Sequence, residues 1–453
     1  MHSKLLSETG LTLVGDQRLS LEWGAVGYKQ GQPYVKPPIV AQTNTRADFL
    51  AAVANASLPG TVVLPKGILP LGNTIISVPS GRCLLGHPDG STIQFKSLYS
   101  ILGTGPYGKT GKPGYTWGGG IIEIDHQIDV GLINITGLAE DVPFPGIFNE
   151  PGYNFVEVKR GQDIYLEGLT AIGCDTGFFL GGLRVTAVNC AVTAVGTKRA
   201  TQNPCAHYSF CMQGGQSVLV QHATSTEFSF HDFSVGHKSD LIVVDQVTGW
   251  NVGLDFHKDN YAAKRILLSN ARSDRDGNWY KSGGNSFPGY HNTDGGNCWW
   301  NCASKVSGGG WKSLNFAPSF DPKATIVGFQ GTEILNPSGL WLERILSPDL
   351  EPQSLYEALK AIAQGVPLPP GTPPPPPPPP KFTIGQRVRT TTQVNVRALP
   401  KLSSTLLGTQ PAAAEAEVLA GPTKDANSVY TYWMLNYDSG VDGWSGENLL
   451  VAV

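Results

Sequence analysis

Residues 208–220 read YSFCMQGGQSVLV, residues 228–244 read FSFHDFSVGHKSDLIVV and residues 254–268 read LDFHKDNYAAKRILL. Each begins with a short triplet (Tyr208-Ser209-Phe210, Phe228-Ser229-Phe230, Leu254-Asp255-Phe256), then passes through a polar turn into a second apolar run. Ile122-Glu123-Ile124, Val156-Glu157-Val158 and Phe178-Phe179-Leu180 open similar units upstream, and Asn278-Trp279-Tyr280 opens one downstream, at intervals of 20 to 34 residues. Short strands repeated irregularly at that period describe a solenoid with loop insertions. One coil cannot bury its apolar face alone, whereas coils stacked about 4.8 Å apart bury a continuous column. The spacing predicts an inward ladder of Ile124, Val158, Leu180, Phe210, Phe230, Phe256 and Tyr280. A propeller would need four strands per repeat in longer, more regular units. The expected fold is mainly β, a right-handed parallel β-helix.

Composition agrees. Of 453 residues, 55 are Gly, and only 15% are charged, which suits a turn-rich β protein. A formal charge of −3 gives no bulk basic field, so nucleic acid is not an expected partner. No apolar run is long enough to span a membrane, and Met1–Gly10 lacks the apolar core of a signal peptide. Seven cysteines are too few for a disulfide scaffold; Cys298 and Cys302 bracket two tryptophans at a spacing that could bridge or bind metal.

The clearest boundary is Pro373–Pro380, eight consecutive prolines that form an extended spacer of roughly 25 Å. It divides the chain into an N-terminal extension (1–45), a β-helix domain (46–365), a Pro-rich linker (366–381) and a small β domain (382–453). Ala47–Ala56 has helical spacing and is followed by short strands separated by Gly or Pro. This succession resembles the start of pectin-lyase-type β-helices, phage tailspikes among them. Leu355, Leu359 and Ile362 mark a second helix, expected to cap the end of the solenoid or pack on it. In the last domain Val394-Asn395-Val396-Arg397, Gly408, Tyr432-Trp433-Met434-Leu435, Gly443-Trp444 and Asn448-Leu449-Leu450 resemble the bacterial SH3 family. That resemblance implies a small non-catalytic barrel that binds a cell-wall or other surface ligand. The alanine-rich stretch Ala412–Ala416 departs from the family's glycine-bearing turn.

Alternation along a strand sends residues i and i+2 to the same face. Extending each triplet by one residue gives outward pairs Glu123 and Asp125, Glu157 and Lys159, Ser229 and His231, Asp255 and His257, Trp279 and Lys281. Stacking is expected to align His231, His257 and Lys281 in one outward column, with Asp255 orienting His257. Arg275 lies in the following loop, and Asp232, Lys258, His291, Trp299 and Trp300 are candidate substrate contacts, the tryptophans as flat faces for sugar rings. The segment Gly253–His257, Gly283-Gly284, His291 and Trp300-Asn301 resembles bacterial β-helix proteins grouped with polysaccharide lyases. A histidine on a strand is more often structural than catalytic, and Trp299-Trp300 is more often core; two histidines at one repeat position beside Asp and Lys raise the functional reading.

The leading expectation is an extracellular polysaccharide lyase. Elimination across a uronic acid needs a cation on its carboxylate (Lys281, Arg275 or Ca²⁺), a base (His257 or His231) and a proton for the leaving oxygen. A glycoside hydrolase on the same scaffold needs two carboxylates, with Asp255 and Asp232 or Asp276 as candidates. A non-catalytic glycan-binding adhesin or virion spike is the third reading.

Overall fold

The computed structural model describes residues 3, 5, 19–55, 57, 59–98, 119–140, 152–193, 206–226, 229–235, 238–249, 254–256, 263–273, 296–304, 314–315, 325–328, 334–335, 341–343, 345, 349–365, 381–401, 404–424 and 431–453. The chain divides into two compact units, Met1–Lys305 with Trp311–Gly371, and Val306–Gly310 with Thr372–Val453.

The first unit is a parallel β-helix of three strand rows. Row A holds Ile76–Ser77, Ile122–Asp125, the first halves of Asn154–Glu167 and Thr176–Val188, then Ala206–Cys211, Ser229–Val235 and Leu254–Phe256. Row B holds Gly60–Val63, Arg82–Leu85, Ile128–Ile133, the second halves of the two long strands, Gln216–Gln221, Asp240–Asp245, Lys264–Ser269, Cys298–Trp300, Thr325–Val327 and Trp341–Glu343. Row C runs from Gly67–Gly72 to Ala303–Ser304 as a separate nine-stranded sheet.

Sequence dictates this stacking through one residue per coil. In row B, Val62, Leu84, Leu132, Leu166, Ala187, Val220, Val244, Leu268, Trp299 and Ile326 pair in one unbroken register and are all buried. At the corner between rows B and C, Asn134, Asn189, His222, Gln246, Asn270 and Asn301 adopt left-handed backbone, φ 48° to 55°, turning each coil within two residues. Asn tolerates that region better than most residues, so four asparagines among six reflect the geometry.

The expected inward ladder of row A holds for Ile124, Val158 and Leu180, then departs. Phe210 pairs with Phe178, and Phe233, not Phe230, continues from Phe210; Tyr280 lies outside the described residues. Phe178, Phe210 and Phe233 stack inside at ring-centroid distances of 4.9 and 5.3 Å, contributing about 0.5–1.5 kcal/mol per pair beyond burial.

Residues 21–34 form a strap along the outer face of row B. Trp23 Nε1 donates to Arg265 O (2.8 Å), Gly27 N to Ser217 O (3.2 Å) and Tyr28 N to Thr186 Oγ1 (2.8 Å), while Tyr34 stacks on Tyr165 at 4.6 Å. The strap then enters the first coil as Ile39–Gln42, paired with Gly60–Val63. Helix α1 (Arg46–Ala54) is capped by Thr45, whose Oγ1 accepts from Asp48 N, and buries Phe49 and Val53 in the first coils. Helix α2 (Leu355–Gln364) does not cap the solenoid end. It lies on the row B flank, where Leu355, Tyr356 and Leu359 pack with Trp23, Val26, Leu267 and Trp300. A Cβ at Gly24 would collide with Leu359 O, so only glycine lets strap and helix meet.

The second unit is a seven-stranded antiparallel sheet from Arg387–Thr390 to Leu450–Ala452. Val388, Val396, Val418, Leu435 and Trp433 form its core, with Trp433 Nε1 donating to Glu447 Oε2 at 2.7 Å.

Candidate functional site

The three outer flanks differ. Row B is sealed by the strap and α2. Row C presents Thr92, Thr136, Thr170, Ala191, Thr224 and Thr248 in register, without a charge until Arg272. Row A aligns Ser77, Glu123, Glu157, Phe179, Cys211, Ser234 and Asp255 in backbone register. Because Ile122, Ile124, Val156, Val158, Phe233 and Val235 point inward, alternation directs Glu123, Glu157 and Ser234 outward. The long connections 96–121, 140–153 and 194–205 all lead from row C into row A, whereas most row B to row C corners take two residues. Loops held on a rigid scaffold are where recognition concentrates.

Glu157 and its neighbours form the best-defined part of this flank. Glu157 is 1% exposed, and its Oε1 meets no donor among the described residues. Burial raises its pKa; the Gly119 N–H opposes this, Glu123 adds to it, and Lys159 opposes it again. Beside it Asp125 receives Lys159 Nζ at 3.6 Å, Arg160 Nη2 at 3.2 Å and His126 Nδ1 at 2.8 Å. Asp125 is thus compensated several times over, while Glu123 makes no ion pair among the described residues. The arrangement sets two carboxyl groups in register on adjacent coils, one buried and one without an ion pair among the described residues.

The sequence-derived candidates distribute unevenly. Asp255 pairs with Ser234 and so belongs to the row A column by register. His231 pairs with Tyr208, three positions before Ser234, so it stands outside the column that holds Ser234 and Asp255. The slip from Phe230 to Phe233 is the reason. His257, Lys258, Arg275, Asp276, Lys281 and His291 lie outside the described residues.

Three expectations are corrected. Asp232 is 0% exposed and inside the coil, accepting from Ser225 Oγ at 2.9 Å, with Ser209 Oγ at 3.5 Å; it touches no substrate and cannot pair with Asp255 across the outer face. Trp299 (1% exposed) belongs to the inner core and Trp300 (0%) to the row B cover, where its Nε1 donates to Pro352 O at 2.7 Å, so neither offers a face to a sugar. Cys298 points to the cover and Cys302 to the inner core, both as free thiols, so they neither bridge nor share a metal. Among the described residues no group of three or more His, Cys, Asp or Glu is placed to hold a metal ion.

Sequence reasoning placed Glu123 and Glu157 outward but missed Glu157 as a site residue. Its signal was available: a Glu within the apolar run Phe155–Val158, in register with Glu123.

No protein-family model matches the chain, and no curated protein matches its sequence. Among solved structures, a pectate lyase superimposes with a TM-score of 0.42 at 14% identity, covering 71% of this chain and 82% of its own. A polygalacturonase from Erwinia carotovora gives 0.39 at 13%, covering 71% and 98%, and the A-module of a mannuronan C-5 epimerase from Azotobacter vinelandii gives 0.38 at 13%, covering 68% and 77%. Likeness at this level identifies no substrate or reaction for this chain.

Proposed function

We propose that the chain is an extracellular polysaccharide-degrading enzyme that works on the outer flank of row A, and that hydrolysis is the reaction its described residues support best. The observation that carries this is the in-register pair of Glu157, buried with one oxygen unmatched, and Glu123 beside it. A glycosidic bond breaks by protonation of the leaving oxygen together with a carboxylate's help at the anomeric carbon, which is what two carboxyl groups in unlike surroundings supply. An elongated flank also suits an extended polymer.

Elimination is the second reading. Asp255 lies in the same column with His257 next in sequence, and Lys159 and Arg160 could neutralise a uronate carboxylate. In that scheme His257 or His231 takes the C5 proton, and Lys281, Arg275 or Ca²⁺ assists, with Lys258 and His291 contacting the sugar. The antiparallel second unit would act as an SH3-like module that holds the enzyme to a cell-wall or other surface ligand.

Incubation with a panel of neutral and acidic polysaccharides separates these readings. New reducing ends without ultraviolet absorbance mean hydrolysis, and absorbing unsaturated ends mean elimination. Binding without any cleavage would sink the enzymatic reading in favour of an adhesin.

A further inference from the structure

We propose that residues 27–34 of the strap form a latch which two carboxylates of the solenoid, Asp129 and Asp163, hold shut, and that acid opens it while the coils beneath stay folded. The polar tethers of the strap's tip converge on these two groups. Asp129 accepts from the Tyr28 hydroxyl at 2.6 Å and from Lys29 Nζ at 3.0 Å. Asp163, on the following coil, accepts from Lys29 N at 3.2 Å and from Arg184 Nε and Nη2 at 2.6 and 2.8 Å. Tyr28 N and Gly27 N bond instead to Thr186 and Ser217, whose oxygens do not titrate.

The backbone of the tip pulls the other way. Lys29 (φ 41°) and Gln30 (φ 60°) stand side by side in left-handed conformation, which disfavours any residue with a Cβ and persists only where the surroundings hold it. Both residues are exposed, so packing of their side chains does not hold them. On either side the strap is anchored without these carboxylates: Trp23 and Val26 pack under α2, and Ile39–Gln42 pairs with Gly60–Val63. The stretch between can therefore lift as a loop with both ends fixed. Beneath it lies Cys83, 0% exposed and hydrogen-bonded to the hydroxyl of Tyr34. Tyr34 itself stacks on Tyr165 at 4.6 Å and meets Tyr28 edge-on at 5.2 Å, so losing Tyr28 loosens the cover of the thiol.

The charged and titratable groups facing the two carboxylates are Tyr28, Lys29 and Tyr34 of the strap and Arg184 of the solenoid. Arg184, then Gln162 and the Lys29 N–H, hold Asp163 below the usual carboxylate range against the opposing effect of burial. Because the strap's own N–H helps to keep Asp163 ionised, protonation of Asp163 must in turn loosen the strap. A depressed pKa leaves this contribution whole above the unfolded value and removes it as pH falls through the folded one. Protonated Asp129 likewise loses its attraction for the Lys29 ammonium. Opening therefore belongs to acid, below about pH 4.

The test exposes the full chain to a dipyridyl disulfide, which couples to thiols in acid as well as at neutral pH, from about pH 7 to about pH 3, and finds the coupled peptides by mass spectrometry. Cys83 should couple faster as pH falls below about 4, while Cys190 and Cys302 in the inner core stay protected and the far-ultraviolet circular dichroism does not change. Asp129→Asn keeps the shape of the acid without its charge, and Asn suits the left-handed backbone there (φ 59°). It should raise Cys83 coupling at neutral pH by roughly tenfold or more, the scale of losing a hydrogen bond to a charged group, with the melting temperature kept. Coupling of the core thiols in step with Cys83 would mean that acid unfolds the whole unit. A Cys83 that stays closed throughout, or an Asp129→Asn protein that couples like wild type at neutral pH, would mean that the carboxylates do not hold the strap. Each of these outcomes overturns the latch.

Discussion

Rows A and B each bury a carboxyl on their outer face, Glu157 on one and Asp245 on the other, and only Asp245 is fully supplied. Asp245 accepts from Ser354 Oγ at 2.8 Å, Gln221 Nε2 at 3.0 Å and Gln246 Nε2 at 3.1 Å, with Ser269 as a fourth donor. Ser354 is also the N-cap of α2, its Oγ accepting from Glu357 N, so this carboxylate ties a helix to the solenoid. Among the described residues Glu157 has a single backbone donor and one oxygen without a partner. The same ladder geometry thus yields a structural acid where the lone pairs are met and, where one is not, the acid on which our functional proposal rests. Matching of lone pairs, not burial, separates the two uses.

The contrast can be broken most severely through the cover of row B. Trp300→Ala should cost about 3–5 kcal/mol, as loss of a large buried side chain does, read by chemical denaturation of the first unit. Asp245→Ala should cost about 1–3 kcal/mol, because it strands donors on Ser354, Gln221, Gln246 and Ser269 in a dry interface. A loss confined to α2 would appear as early hydrogen exchange in residues 355–364.

Glu157→Gln sharpens the comparison with the opposite sign. Burial raises the Glu157 pKa in the fold above its unfolded value, so the wild-type stability it contributes is full below the unfolded value and declines as pH rises through the folded one. Relative to wild type, the variant should therefore gain stability as pH rises above the ordinary Glu range, with the gap closing toward acid pH. A gap constant across pH would mean that Glu157 is not protonated in the fold. Removal of residues 373–453 should do least: the melting midpoint of the first unit and its cleavage of soluble polymer should stay where they were, since the core of the second unit is its own.

Much of this fold could be read from the chain. Runs such as Val218–Val220 and Leu241–Val244 were legible as row B because buried strands are continuous apolar segments. Row A was misread at Phe228–Val235, where FSFHDFSV offers two alternations and period two accepts either. Spacing resolves it: ten residues separate Ile122 from Leu132, Val156 from Leu166 and Phe210 from Val220, and Phe233 to Val244 keeps nearly that interval while Phe230 does not. That slip displaced His231 and turned Asp232 from a core residue into a supposed ligand. The tryptophans failed for another reason. Row B is covered on both faces, so consecutive Trp299 and Trp300 are both buried, and the cover comes from residues 21–34 and 350–362, whose pattern does not announce their partner.

The strap also sets an order in time. Trp23 and Val26 pack with Leu355 and Leu359, closing a loop of about 330 residues. Emerging from a ribosome at about 5–20 residues per second, the strap precedes α2 by roughly a quarter of a minute to a minute. During that interval the coils can stack one upon another as they appear and the strap can settle on them, but the part of the outer face of row B that α2 covers stays bare. Synthesis that stops short of Leu355 leaves a stacked solenoid with an adhesive flank, so α2 acts as the closing stitch that marks the domain as complete.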